Sequence, residues 1–575
     1  MKNNTACPLD CYDACEIVYE DAIIKGSNEG YTNGFLCPHL NHYESFQRIT
    51  QPKYKGLEIS LQEALKKLSQ ILQESKRSEV LQYRGNGNFA LMQGVTDHFF
   101  AQYGATLTDG NLCDGAGESG IIVGRGSNKN MPLSEIEKSD VVIFWGRNPH
   151  VTSSHLLPIV KDKQIIVIDP VETKIAKSAN LFVQIKPHTD IYFAMLLTRF
   201  LHIEGACDET FLQEYASEFE EYYELTQNIR IKATLDAMDL TLGQIGDVLS
   251  LVKDKKVAIV TGLGVQKYRD GADVIRAIDA FAVALGLFGK EGCGVAYLGN
   301  SKEGIEMPFN NNAKRVSKVD TPFDMFKTVF IQGANPLSQM PNSLHVKNSI
   351  SSVENIVYFG LYENESSQIA DLVIPAKNFL EKNDVRTSYS HHKMLFMPKQ
   401  KESDIGVSEY ELSRYLCDTF DIDLESEQFY LEHFRSFSYE QDGTLHVKSR
   451  EDVPYKNGFD TSDKEFVFLD ELDVTLGDDE KLFLITPKSA KSLNSQFKRD
   501  EYVYLNASHG YEDEEQVNIV SEVGTVRLKV KNEDTLRHDC VLIYSGTKGL
   551  NNITTSKHSY EGKNAIYQEL KVEIQ

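Results

Sequence analysis

Cys7-Pro8-Leu9-Asp10-Cys11-Tyr12-Asp13-Ala14-Cys15, answered later by Gly34-Phe35-Leu36-Cys37-Pro38, is the stretch on which the reading of this sequence turns. Three thiols recur at every fourth position and the fourth arrives on a return of the chain. A cubane iron–sulfur cluster takes one cysteine per iron, and a tight triplet with a distant fourth suits it. Structural zinc also accepts four cysteines, usually as two separated pairs. The spacing favours a [4Fe–4S] cluster on Cys7, Cys11, Cys15 and Cys37 over zinc, and the segment is too polar for unliganded core thiols. Such a cluster moves single electrons, so the rest of the chain must hold something that exchanges them.

Outward from this loop, short unbroken apolar runs recur, each ending in Gly, Asp or Pro. They lie at 141–145 before Gly146, 165–168 before Asp169-Pro170, 257–260 before Gly262, 329–331 before Gly333 and 356–359 before Gly360. Runs without alternation are expected of strands covered on both faces, which predicts parallel sheets flanked by helices. Residues 190–201 and 272–287 read as such helices, and apolar residues at 61, 65, 68 and 72 mark another. From Lys481 the pattern changes to short runs between turn signals, at 481–486, 502–506, 525–530 and 541–544, predicting an all-β terminal domain, a barrel. The acidic, motif-free stretch 403–480 reads as a helical region and linker.

The composition bounds the function. Of 575 residues, 41% are hydrophobic and 25% charged, which is globular, and a net charge of −24 repels phosphate backbones and anionic lipid. Nucleic acid is therefore not an expected partner. No apolar run reaches the ~18 residues of a spanning helix, so no direct membrane insertion is expected. With Cys7 already in the first motif, no export signal fits ahead of it if Met1 is the true start, and the expected location is cytoplasmic. Cys207, Cys293, Cys417 and Cys540 are scattered and read as structural.

Two motifs of the form Gly-x-Asn-Pro, Gly146 to Pro149 and Gly333 to Pro336, each follow a buried-strand pattern. Ligands sit off the carboxyl ends of parallel strands, where Gly lets backbone approach phosphate, so Gly146, Asn148, Pro149, Gly333, Asn335 and Pro336 are candidate cofactor contacts. The next strand in each case ends near an acid, Asp169 or Glu363, able to bind a guanine edge or a ribose hydroxyl. Gly262-x-Gly264 is half of a dinucleotide fingerprint, but Lys267 breaks it, which argues against an NAD site.

The opening loop, with Trp145-Gly146-Arg147-Asn148-Pro149, Ile168-Asp169-Pro170-Val171-Glu172-Thr173 and Lys186-Pro187-His188-Thr189-Asp190, resembles the molybdopterin oxidoreductases of the dimethyl-sulfoxide-reductase family. The resemblance continues, in the family's order, through Gly262-Leu263-Gly264-Val265-Gln266, Arg276-Ala277-Ile278-Asp279-Ala280, Gly333-Ala334-Asn335-Pro336, Ala370-Asp371-Leu372-Val373-Ile374-Pro375 and Asn551-Asn552-Ile553-Thr554. It implies an α/β multidomain molybdopterin-oxidoreductase fold with parallel-sheet dinucleotide-binding domains, a small N-terminal Fe–S domain and a C-terminal β-barrel. The corresponding expected divisions are 1–45 for the cluster, 46–130 with 300–402 and 131–299 for two α/β cofactor domains, 403–480 for a linker or helical region, and 481–575 for the barrel. It also implies molybdenum or tungsten held by two molybdopterin guanine dinucleotides, with Thr173, Asp190, Gly264, Gln266 and Asn551 as further cofactor contacts.

In the family one side chain ligates the metal, some thirty residues before the first Gly-x-Asn-Pro strand ends. Here that window holds Cys113, whose soft thiolate suits molybdenum or tungsten, with Asp114 the second choice and Ser119 the third. Formate dehydrogenases of the family place His after the ligand; Asp114 stands here, which argues against formate or against that proton handling. The family often has Lys or Arg two residues after the last cluster cysteine; here it is His39. Arg386 and His391 are candidate pocket residues for binding an oxyanion or moving protons. The expected activity is two-electron redox of a small-molecule substrate, with electrons passing through the cluster to an electron-transfer protein or redox subunit. A non-redox hydratase or transhydroxylase on the same scaffold, and an electron-relay subunit that has lost its pterins, stay open as alternatives.

Overall fold

The computed structural model describes residues 3–41, 43, 47–85, 90–472 and 481–575. Five parallel strands form one sheet in the order Leu181–Val183, Gln164–Ile168, Val141–Trp145, Val257–Thr261, Gly294–Ala296. Every residue of Val141–Trp145 and of Val257–Thr261 is buried, which is why these runs lack alternation. Helices Asp190–Ile203 and Gly271–Ala284 share their core.

A second sheet runs Arg315–Ser317, Thr106–Asp109, Val80–Arg84, Thr328–Gln332, Asn355–Gly360, Leu372–Pro375, all parallel, and ends in the antiparallel pair Lys53–Tyr54 and Leu57–Glu58. Val80–Arg84 lies beside Thr328–Gln332, so chain from both sides of the five-stranded unit meets in this sheet. Helix Leu61–Glu74 starts at a capping box of Ser60 and Glu63. Residues 403–472 hold helices Glu409–Phe420 and Glu427–Ser436 and a hairpin; Leu412, Leu416 and Cys417 pack with Phe99, Phe100 and Tyr103 in the core of the larger sheet.

The C-terminal strands close into a six-stranded barrel: Leu482–Ile485, Cys540–Leu542, Tyr502–Leu505, Thr525–Asn532, Gln516–Val520, Leu570–Ile574. Gln516–Val520 and Leu570–Ile574 alternate apolar residues with Asn518, Lys571 and Glu573, which hides them from a search for apolar runs. At the other end of the chain, Asn3–Ala6, Glu16–Glu20 and Ile23–Gly26 form a small antiparallel sheet. Only the middle strand is suggested by sequence pattern; the outer two are four residues each and one is polar. The turn joining the first two carries Cys7, Cys11 and Cys15, and the Cys7 amide donates to the Cys15 carbonyl at 2.9 Å to close it.

Candidate cofactor and redox site

Cys37 stands just before the helical turn Pro38–Asn41, whose His39 and Leu40 amides face its sulfur and offset part of the effect of burial. Burial pushes the Cys7 thiol up to about 12, with the charge of Cys37 adding to it; Cys11 is pushed well up by burial and then by Asp13, Cys7 and Cys37. Four thiols in mutual electrostatic reach form thiolates only when a cation compensates them. No three of these sulfurs lie within 4.8 Å of one another. A single tetrahedral ion with bonds of about 2.3 Å would draw them to about 3.8 Å, so the loop fits a larger, multi-metal centre better than one zinc. His39 reaches the barrel domain: its Nε2 donates to the Ser489 carbonyl at 3.0 Å.

Cys113 is positioned by Asn111, whose Oδ1 accepts from the Cys113 and Asp114 amides at 2.8 Å and from Gly115 at 3.2 Å. Gln266, fully buried, clamps the same loop: Nε2 donates to the Cys113 carbonyl at 2.7 Å and Oε1 accepts from the Gly117 amide at 3.0 Å. Helix Gly115–Arg125 follows and presses on Gly271–Ala284; a Cβ at Gly120 would lie 2.3 Å from the Ala272 carbonyl oxygen. The glycines after Cys113 each meet close neighbours, Gly115 the Gly562 backbone, Gly117 the Tyr297 hydroxyl and Gly120 the facing helix. At the far end of this helix Arg125 pairs with Asp279 through two hydrogen bonds, both side chains fully buried.

Burial pushes the Cys113 thiol up to about 12; Asp114, Lys267, Asp10 and Lys488 act on it through their charges. Asp10 comes from the cysteine loop, Lys267 from the turn after Val257–Thr261, and Lys488 from the barrel. Burial raises Asp10 and Asp114 to about 7 and lowers Lys267 to about 8. Arg386, on strand Asp384–Arg386 and fully buried, donates from Nη2 to the Leu9 carbonyl at 2.8 Å, while its Nε and Nη1 have no hydrogen-bond partner. His391 lies beneath the cysteine loop instead. Its Nε2 donates to the Ala14 carbonyl at 3.3 Å, its Nδ1 accepts from the Lys393 amide at 3.3 Å, and burial lowers it to about 3. With both nitrogens on backbone, the ring does not join the group around Cys113.

The two Gly-x-Asn-Pro motifs end neighbouring-sheet strands and each Pro opens a short helix, Pro149–Thr152 and Pro336–Gln339, but they are not equivalent. Gly146 has φ +62°, and a Cβ there would meet Val265 at 2.6 Å, so its glycine is required by the protein itself. Asn148 Oδ1 and His150 Nδ1 beside it are buried without partners. Asn335 is satisfied by the chain: Nδ2 donates to Glu365 at 2.8 Å and Ser495 at 3.0 Å, and Oδ1 accepts from Ser366. Around Gly264 and Gly333 a Cβ would meet nothing within 4 Å, the open backbone a cradle needs.

Two clefts are present, the smaller beside the second motif. One of ≈ 270 Å³ is lined by Leu9, Gly333, Asn335 and Glu363, although Glu363 accepts from Lys53 at 2.7 Å. The other, of ≈ 420 Å³, lies where the barrel meets the segment 186–189, and gathers Lys186, Arg269, Lys481, Lys557 and Lys571 against Glu522 and Glu569. Its cations suit phosphates. The remaining candidates are engaged internally: Asp190 accepts from Trp145 Nε1 at 2.7 Å, Asp169 from the Val171 amide at 2.9 Å, and Thr173 caps the following turn. Asn551 donates to the Ser338 carbonyl at 2.6 Å, fastening the barrel to the larger sheet. The unpartnered Arg386, Asn148 and His150 atoms, the open glycines and the cationic cleft fit a large, phosphate-bearing cofactor. Asp10, Lys267 and Lys488 were not anticipated as site residues; Lys267 drew notice only for breaking a glycine fingerprint.

Parallel-sheet units, a terminal barrel and clefts at their strand ends define a cofactor-binding protein of a recognisable class. The sequence profile of the molybdopterin oxidoreductase family matches residues 48–400, and the chain belongs to that family. Membership implies a molybdenum or tungsten pterin cofactor. Relatives include the probable oxidoreductase YyaE of Bacillus subtilis, 27% identical over 428 residues, 68% of this chain and 64% of the relative. The F420-dependent formate dehydrogenase 1 subunit alpha of Methanococcus maripaludis is 23% identical over 66% of this chain and 64% of its own length. The assimilatory nitrate reductase catalytic subunit of Bacillus subtilis is 23% identical over 67% and 64%. The chain thus spans just under two thirds of the length of these relatives. The solved structure of acetylene hydratase from Pelobacter acetylenicus superposes with a TM-score of 0.81 at 14% identity, covering 99% of both chains, a likeness of fold. Among the described residues no helix is long and apolar enough to cross a membrane.

Proposed function

We propose that this chain binds molybdenum or tungsten through Cys113 and two pterin guanine dinucleotides, and a [4Fe–4S] cluster through Cys7, Cys11, Cys15 and Cys37. In this reading it performs two-electron redox on a small substrate and passes electrons singly to a carrier or partner subunit. One observation carries the reading: Asp10, inside the cysteine loop, acts on Cys113 through its charge, so the two candidate ligand sets lie within electrostatic reach of each other. When bound, the metal supplies the two-electron change and the cluster the one-electron relay.

The chain's own residues hold and orient. Asn111 and Gln266 fix the Cys113 loop, and Arg386, held on the Leu9 carbonyl of the cysteine loop, offers its free Nε and Nη1 as donors. Lys186, Arg269, Lys481, Lys557 and Lys571 offer cations to phosphate. Lys267 and Lys488 place N–H donors beside Cys113, where a polar substrate group would bind. Although one relative is named a formate dehydrogenase, Asp114 puts a carboxyl where the formate enzymes carry an imidazole, so formate is not the favoured substrate.

Elemental analysis and nucleotide release on anaerobically purified protein test the reading, followed by turnover with an artificial electron acceptor. About four irons, about one molybdenum or tungsten and about two guanine nucleotides per chain are expected. Iron without the heavier metal or nucleotide points to a relay subunit, and zinc in place of iron defeats both. A fully loaded protein inert toward electron acceptors points to hydratase or transhydroxylase chemistry.

A further inference from the structure

His155 sits in no motif assigned above, yet it is 1% exposed and faces the cysteine loop from the five-stranded-sheet unit. Its Nδ1 lies 2.9 Å from Asp13 Oδ2 and 3.3 Å from Cys15 Sγ, its Nε2 lies 3.1 Å from the Phe35 carbonyl oxygen, and its backbone amide donates to Asp13 Oδ2 at 3.1 Å. The Phe35 ring stacks on the imidazole at 4.2 Å between centroids. Asp13 is 4% exposed, and Oδ1 has no partner.

A carboxylate oxygen and a peptide carbonyl only accept, so both ring nitrogens carry a proton. The Nδ1–H is then forked between Asp13 and the Cys15 sulfur. A protonated Nδ1 has no lone pair for a metal, and Nε2 is turned away onto Phe35. The atoms Asp13, Cys15 and His155 bring within 4.8 Å therefore form a hydrogen-bond relay around a ligand, not a ligand set of their own.

We infer that His155 is a positioning residue that donates Nδ1–H to the Cys15 sulfur and thereby raises the reduction potential of the cluster held by that sulfur. The inference rests on the cluster reading above. Hydrogen bonds to cluster sulfurs and nearby positive charge are among the determinants of cluster potential, because reduction adds negative charge that they stabilise. The step is one of the two electrons that substrate oxidation in the proposed function would supply, added to the cluster; His155 keeps both protons and no bond to it breaks. Asp13 holds the ring in register, and Phe35 shields it from water.

The test is an EPR-monitored potentiometric series on whole, anaerobically purified protein, with iron counted in each sample. In His155→Leu the cluster loads fully, and at the wild-type midpoint the reduced-to-oxidised ratio falls about tenfold, 59 mV for one electron. His155→Gln, which can still present an N–H, recovers part of the shift. Pulsed EPR of reduced wild type shows a weakly coupled imidazole nitrogen and its exchangeable proton in addition to those of the backbone amides facing Cys7 and Cys37, and only the imidazole pair is absent in His155→Leu. A loaded His155→Leu cluster with a ratio within about twofold of wild type overturns the inference while leaving the cluster reading intact. So does a wild-type spectrum without the imidazole nitrogen and its exchangeable proton, or with a nitrogen coupling of directly bound size, whether or not His155→Leu loads. Wild-type protein without a four-iron cluster overturns the cluster reading and this inference with it.

Discussion

Asp279→Ala removes one side of the buried pair that ties the helix behind Cys113 to Gly271–Ala284. Arg125 and Asp279 are 1% and 0% exposed at the side chain and joined by two hydrogen bonds, so the variant leaves a guanidinium desolvated and unpaired. Breaking such a pair from one side costs about 3–5 kcal/mol. Arg125 keeps the Phe288 ring at 4.8 Å, a contact that still favours its charge, which places the cost near 3 kcal/mol. Trp145 is the single tryptophan of the chain, fully buried in the same five-stranded unit, and its fluorescence reports that unit's unfolding alone. With a urea slope of about 3 kcal/mol/M, the midpoint falls by about 1 M. Replacing both partners, Arg125→Met with Asp279→Leu, removes the desolvation cost together with the attraction, and the midpoint returns to within about 0.3 M of wild type. A single-variant shift below about 0.3 M, or a double variant as unstable as the single, refutes the reasoning.

Cys113→Ala is expected to retain iron while turnover drops by at least about 100-fold, read by elemental analysis beside an artificial-acceptor assay. Gln266→Leu strands the Cys113 carbonyl and the Gly117 amide, and metal retention or turnover falls about 10- to 100-fold, measured the same way. Arg386→Lys keeps a charge but loses the fork that reaches Leu9 while leaving two donors free, so pterin and guanine nucleotide recovered per chain fall about tenfold. Burial raises Asp169 to about 7, so its contribution to stability is full below the ordinary carboxyl range and is lost as pH rises through about 7. The Trp145-monitored urea midpoint therefore declines less between pH 5 and pH 8 in Asp169→Asn than in wild type; equal declines would show that Asp169 is not the titrating group.

Sequence pattern reached the elements whose environment is uniform along their length. Val141–Trp145 and Val257–Thr261 are buried on both faces, so an unbroken apolar run announces them, and the turn chemistry that ends them sits at their carboxyl ends. Gln516–Val520 and Leu570–Ile574 are half-buried barrel strands, and their alternating polar residues blend with loops. The four-cysteine spacing was legible because three of the thiols recur on one short turn and the fourth returns within the same small sheet's surroundings. Lys267 and Lys488 were not, since a lone lysine carries no periodic signal and the two meet only through contacts between remote segments. The glycines after Cys113 carry a meaning only the fold shows: a Cβ at Gly120 would meet the facing helix. Asn335, too, keeps the form of its counterpart Asn148 while all its polar atoms are spent on Glu365, Ser495 and Ser366.

Charge ties these observations together. The chain carries 84 acidic against 60 basic residues, and its field at a distance repels polyanions. The same chain gathers five cations into one cleft and sets Lys267 and Lys488 beside Cys113. Exposed charges more than about 10 Å apart are largely screened at ordinary salt, whereas charges in a concave, poorly solvated site are not. The acidic exterior therefore leaves the short-range field of the cationic cleft largely intact. Because Lys481, Lys488, Lys557 and Lys571 belong to the barrel and Lys186, Lys267 and Arg269 to the five-stranded unit, neither half presents the full set alone. Arg269 and Lys557 already pair with Glu569 and Glu522 in the cleft, and a phosphate group bound there would add contacts to both halves at once. Added phosphate-bearing ligand should accordingly raise the unfolding midpoint of both units together, by the mass-action term of a ligand bound to the folded state alone.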